Sequence, residues 1–165
     1  MVRFICLATA LLLPSIAGAA QGAPVQADHV VITKSERTLT LYAGERRLAT
    51  FWVSLGREPV GQKECRGDNR TPEGRYYVAG RKQNSDFHRA LRISYPSQAD
   101  VERAREKGCD PGGDIMIHGL RQDWGRKSRL HLLRDWTKGC VAVTNEEIER
   151  IWQMVSDGVA VEIRP

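Results

Sequence analysis

From Asp28 onward, short apolar runs alternate with polar turns. His29-Val30-Val31-Ile32-Thr33 and Thr38-Leu39-Thr40-Leu41-Tyr42 are rich in β-branched side chains and flank Ser35-Glu36, which predicts a hairpin. Leu48 to Leu55 predicts a third strand closed by Gly56, and Arg75 to Ala79, Leu91 to Tyr95 and Ile115 to Ile117 predict three more. The polar stretch from Gly61 to Gly74 carries the turn signals Gly67-Asp68-Asn69 and Thr71-Pro72-Glu73-Gly74.

Two segments have a helical pattern. Ser97 can cap a helix that carries Asp100 and Glu102 in its first turn and stops at Gly108. Thr144-Asn145-Glu146-Glu147 reads as a capping box, followed by Ile148, Ile151, Trp152 and Val155 on one face. Ser128 to Leu133 predicts a short helix, Cys140 to Val143 an extended segment, and Val159 to Ile163 the last strand. Strands dominate and no repeat or linker interrupts them. The pattern predicts one mainly β domain with a few short helices over residues 28–165.

Of the 165 residues, Met1 to Ala20 reads as a cleavable export signal. It has one basic residue (Arg3), an apolar stretch from Phe4 to Leu13, a break at Pro14 and then small residues. The run is shorter than the roughly 20 apolar residues a membrane span needs, so no span is expected after cleavage. Cys6 leaves with the signal, so no lipid anchor is expected. About 145 residues remain, enough for one hydrophobic core. Loss of Arg3 takes the formal charge from +5 to +4, since no acid precedes Ala20. The excess lies in scattered arginines. It suits an anionic partner such as a wall polymer, or it is an ordinary solvated surface. No aromatic-interleaved basic motif points to nucleic acid.

Cys65, Cys109 and Cys140 remain after cleavage, an odd number for an oxidising compartment. There is no C-x-x-C pair and no zinc-type spacing. The simplest arithmetic joins Cys65 to Cys109 and leaves Cys140 free, the alternative being unrelated thiols. Cys140 sits after Gly139, and His118 ends the apolar run Ile115-Met116-Ile117, 22 residues earlier. A chain of that length can fold back and set the imidazole beside the thiol. The imidazole would take the thiol proton, leaving a thiolate–imidazolium pair that attacks acyl carbons. Gly139 would leave the approach to sulfur open, and the amides of Gly139 and Cys140 would stabilise the oxyanion. By themselves, a lone Cys is usually buried filler and a lone His structural.

The wording around the pair adds to this. Ile115-Met116-Ile117-His118-Gly119 followed by Thr137-Lys138-Gly139-Cys140-Val141 resembles the His-Gly and Ser/Thr-X-Gly-Cys signature of L,D-transpeptidase (YkuD-type) catalytic domains. Thr71-Pro72-Glu73-Gly74-Arg75-Tyr76 resembles their Thr-Pro-x-Gly turn. Phe87-His88, Ser94-Tyr95-Pro96, Pro111-Gly112-Gly113 and Asp135-Trp136-Thr137 resemble a branch of small single-domain periplasmic murein enzymes of Gram-negative bacteria.

The resemblance implies a β-sandwich of mixed sheets with a few helices, a periplasmic location, and no metal or organic cofactor. It implies Cys140 as acylated nucleophile, His118 as general base and Gly139 as the opening residue. The substrate would be a peptidoglycan stem peptide. An amine would resolve the thioester in cross-linking or in attachment of an outer-membrane lipoprotein. Water would resolve it in a hydrolase of wall peptide or of the lipoprotein bond. A non-catalytic wall-binding module is the remaining alternative. Two positions depart from the pattern: Lys138 stands where many members have histidine, and Ala142 where many have arginine or asparagine. His88 and Tyr95 are candidate stem-peptide binders, with Arg81 and Ser85 in the same stretch. Lys138 either meets a stem carboxylate or points into water.

Overall fold

The computed structural model describes residues 25–124 and 128–165. The expected export signal lies outside the described residues. The β-branched runs form strands β1 (His29–Thr33) and β2 (Thr38–Ala43), joined as the predicted hairpin, and β3 (Arg46–Trp52) pairs with β2. β4 (Gly74–Ser85), β5 (His88–Ile93), β6 (Met116–His118), β7 (Val141–Ala142) and β8 (Ala160–Arg164) complete a mixed eight-stranded sheet in the order β3-β2-β1-β8-β4-β5-β6-β7. β1–β8 and β6–β7 are parallel and the other pairs antiparallel.

The fold is mainly β with some α. The two sheets of the expected sandwich share β4, whose first residues pair with β8 and whose later ones pair with β5. After β3 the chain leaves β2, and Ser54 exchanges two backbone hydrogen bonds with Ala142 of β7, at 2.9 and 2.8 Å. The outermost strands are thereby tied together, and the sheet curls on itself. This is why β3 stops at Trp52 although the apolar run continues to Leu55.

β4 and β5 extend beyond the predicted ends at Ala79 and Leu91 and meet in a hairpin at Ser85 and His88. Backbone pairing needs no apolar side chains, so the polar residues of this ribbon concealed it. The register shifts between Val78 and Gly80. Strand period is two, so this bulge at Ala79 changes which face later side chains occupy.

Helices α1 (Gln98–Glu106) and α2 (Asn145–Met154) begin at complete capping boxes, Ser97 with Asp100 and Thr144 with Glu147. α2 packs on β5 and buries Ile148 and Ile151 in the core with Val30, Ile32, Leu39, Leu41, Leu91 and Ile117. Ser128–Leu133 forms the expected short helix as a 3-10 turn. No helix among the described residues is long and apolar enough to cross a membrane.

Cys65 and Cys109 form a disulfide, Cα to Cα 5.7 Å, as the arithmetic suggested. It joins the 61–71 loop to the 109–115 loop, where the Arg66 amide also donates to the Asp110 carbonyl at 2.6 Å.

Candidate active site

Strand pairing decides which side chains share a face. β6 and β7 run parallel with Ile117 opposite Val141 and His118 opposite Ala142. Continued by one residue, that register puts Cys140 opposite Met116. Side chains alternate along a strand, so Met116, His118 and Ala142 face one side while Ile117 and Val141 enter the core, and Cys140, the residue just before β7, stands beside Met116 at the strand's edge. The topology therefore brings Cys140 and His118 to the same face of adjacent strands, as diagonal neighbours.

The turn before the cysteine is held by Thr137. Its hydroxyl donates to the Cys140 carbonyl at 2.7 Å and accepts from the Gly139 amide at 3.0 Å. Thr137 is itself anchored by backbone bonds to Leu55 and Arg57, both 3.1 Å. Gly139 has φ +127, and a Cβ there would lie 2.7 Å from the Arg70 carbonyl oxygen and 3.0 Å from Ile115 Cδ1. The space expected for substrate at Gly139 is thus filled by the Arg70 carbonyl, and glycine is required by packing and conformation. The Gly139 amide is also spent on Thr137. Of the two expected oxyanion donors, the Cys140 amide alone is without an acceptor among the described residues.

The Cys140 sulfur is half-buried, and its hydrogen-bond acceptor is the Asp114 carbonyl at 3.5 Å, not the imidazole. Burial pushes the thiol pKa up, as does the Asp114 carboxylate, while the Met116 backbone and the Lys63 ammonium pull it down. His118 is 4% exposed, and its Nδ1–H donates to the Gly119 carbonyl at 2.7 Å, which leaves Nε2 as the basic nitrogen. Phe87 lies across the ring at a centroid distance of 4.6 Å, and Trp136 meets it edge-on at 5.9 Å. Trp124 in turn packs on Trp136 at 4.9 Å. Burial lowers the His118 pKa to about 4, against the pull of the Gly119 carbonyl. Both shifts oppose charge separation. They run against the thiolate–imidazolium pair expected from the sequence.

Several candidates are occupied elsewhere. His88, at φ +67, turns its ring to Glu149 of α2, Nε2 to Oε1 2.6 Å, and Arg89 reaches the same carboxylate at 3.1 Å. Tyr95 is buried, packs edge-on against Tyr76, and donates its hydroxyl to the Pro111 carbonyl at 2.8 Å. Neither ring is directed to the sulfur by these contacts. Lys138 is exposed and has no ion-pair partner among the described residues. Arg81 stacks on Trp152, 3.9 Å from the ring centroid, and Ser85 accepts the Phe87 amide at 3.1 Å.

The fold adds residues that the sequence reading did not assign to the site. Phe87 and Trp136 stood in stretches noted for another reason, and nothing marked them as walls of the histidine. Lys63 is 3% exposed, and its ammonium donates to Asp68 at 2.7 Å and to the Cys65 carbonyl at 3.1 Å. Asp68 also accepts from the amides of Glu64, Cys65 and Arg70. Lysine in a polar loop ordinarily means a solvated side chain, so only folding could reveal this one. The disulfide loop therefore carries both the cation near sulfur and the carbonyl against Gly139. Among the described residues no group of three or more His, Cys, Asp or Glu is arranged to hold a metal ion.

Residues 27–163 match the family model of the YkuD L,D-transpeptidase catalytic domain. The Escherichia coli (strain K12) protein named "Putative L,D-transpeptidase YafK" is 32% identical over 142 residues, covering 82% of this chain and 48% of its own length. The chain thus spans about half the length of that relative. A crystal structure of the helical cell shape determining protein Pgp2 from Campylobacter jejuni, a point mutant, superposes with TM-score 0.65 at 25% identity, over 84% of this chain and 47% of Pgp2. An Enterococcus faecium L,D-transpeptidase shares the fold with TM-score 0.56 at 12% identity, over 84% of this chain and 50% of that one. With the domain match running nearly from end to end of the described sheet, this chain belongs to the YkuD L,D-transpeptidase catalytic-domain family.

Proposed function

We propose that the protein is a periplasmic acyltransferase that cleaves and rejoins peptidoglycan stem peptides through a thioester on Cys140. The observation that carries this reading is the His118 tautomer. Nδ1–H is committed to the Gly119 carbonyl, so the Nε2 lone pair is available on the face that also bears Cys140. No hydrogen bond joins the two in the resting site, and such contacts commonly tighten only when substrate binds.

As an amide carbonyl of the stem reaches sulfur, the thiol proton passes to His118 Nε2 and the S–C bond forms. The oxyanion is met by the Cys140 amide. The tetrahedral centre collapses, the C–N bond breaks, and His118 returns its proton to the departing amine. A second amine then attacks the thioester carbon, gives its proton to His118, and expels the sulfur, which is reprotonated. Water in that role gives hydrolysis. Membership of a family whose neighbours include a cell-shape protein supports a role in wall remodelling.

The test is mass analysis of peptidoglycan fragments after exposure to the protein and to Cys140→Ala, with and without added acceptor amine. Active protein yields amine adducts of the donor peptide and Cys140→Ala yields none. Shortened peptides that ignore the amine would assign hydrolysis, and unchanged fragments with both proteins would leave a wall-binding module.

A further inference from the structure

The face that carries Cys140 continues across β6, β5 and β4. Met116 pairs with Arg92, and Arg92 with Gly80. With Cys140 opposite Met116, one cross-strand row reads Cys140, Met116, Arg92, Gly80. The next row reads Ala142, His118, Ala90, Lys82. The bulge at Ala79 puts Gly80 and Lys82 on this face, because without the added residue Gly80 would share the core-facing side of Val78.

A groove of about 290 Å³ lies over the first row, lined by Gly80, Lys82, Arg92 and Met116. A Cβ at Gly80 would meet nothing within 4 Å, so the floor is open there. Arg92 is exposed and only loosely paired with exposed Asp114, at 3.6 Å. An ion pair between two solvated side chains is weak, and a ligand can displace it. Lys82 is exposed and has no ion-pair partner among the described residues. Arg81 also borders the groove, but its guanidinium is drawn to Trp152 on the α2 side.

Resting on the acyl-transfer reading above, we infer that this groove is the subsite for a carboxylate carried by the acyl-donor peptide, gripped by Arg92 and Lys82. The direction follows from the chemistry. His118 protonates the departing amine, so that amine lies toward the histidine, and the acyl portion extends along the row beginning at Cys140, where Arg92 stands and where Lys82 lines the same groove from the neighbouring row. Guanidinium and ammonium groups flanking an open floor suit an extended, anionic peptide.

The inference is tested on two levels. Donor peptides with a free or an amidated carboxylate are compared in wild type, Arg92→Gln and the Arg92→Gln/Lys82→Gln double variant. Amidation should raise KM about five- to tenfold in wild type, as for loss of one charge-assisted contact, and have little effect in the double variant. An equal effect of amidation in both proteins overturns the inference.

The second level needs no turnover. Alkylation of Cys140 by anionic iodoacetate is compared with neutral iodoacetamide at matched pH. The iodoacetate-to-iodoacetamide rate ratio should fall about threefold in the folded double variant, since two cations that attract the anion are gone. A ratio unchanged from wild type overturns the cationic groove even where no peptide is turned over. A changed ratio with no turnover of any peptide leaves the groove standing and removes the acyl-transfer reading.

Discussion

On one side of β5 and β6, Leu91, Ile93 and Ile117 lie in the core, close to Ile148 and Ile151 of α2. On the other side, the same two strands present Ala90, Arg92, Met116 and His118, with Cys140 beside them. The residues are interleaved one by one, yet the two sets have different duties. The core side has no titratable group among those five, and its residues contribute by leaving water. The opposite side keeps a cysteine half-exposed and a histidine desolvated by aromatic rings. Strand alternation is what permits this separation. Core packing and site chemistry are thereby carried by side chains only a few residues apart.

A cavity on the core side should have the largest effect. Ile151→Ala should cost about 2–5 kcal/mol in urea denaturation, as for other large-to-small changes at fully buried positions. In the folded variant the alkylation rate of Cys140 should stay near wild type. A large change in thiol reactivity would mean that the two sides are mechanically coupled.

Acid probes the other side. The His118 pKa falls to about 4 in the folded protein, below the ordinary histidine value, so the unfolded chain binds the proton more readily. Stability from this group is full above about pH 6.5 and is lost as pH falls toward 4. The loss should be on the order of 1–3 kcal/mol by pH 4.5, read as a lower urea midpoint than at pH 7. His131 has the same sign, since burial lowers its pKa to about 4 as well. Following the His118 ring resonance by NMR isolates its share. A midpoint near 6.5 would show that Phe87 and Trp136 do not keep water from it.

Lys138 should be the most tolerant of these positions. Exposed and without an ion-pair partner among the described residues, it should tolerate Lys138→Ala with a change in stability within about 0.5 kcal/mol. Thermal unfolding is sufficient to check this.

Much of the fold was legible because its signals are local. Ser97 with Asp100 and Thr144 with Glu147 announce helix starts through contacts three residues apart. The β-branched runs on either side of Ser35-Glu36 announce a hairpin for a similar reason. The distal part of β4 was not legible, since Arg81 to Ser85 pair through backbone groups that every residue possesses. His88 and Tyr95 looked available for substrate because nothing nearby in sequence shows Glu149 or Pro111 arriving to engage them.

The sequence by itself determined the element types, the family, and the presence of one thiol left over once two cysteines pair. Only folding brought the Arg70 carbonyl into the space beside Gly139, buried the Lys63 ammonium against Asp68, and shifted the thiol pKa up and the imidazole pKa down. Propensity and capping act within a few residues and can be read along the chain. Desolvation and charge–charge interaction depend on distances between residues far apart in sequence, and those distances exist only after folding.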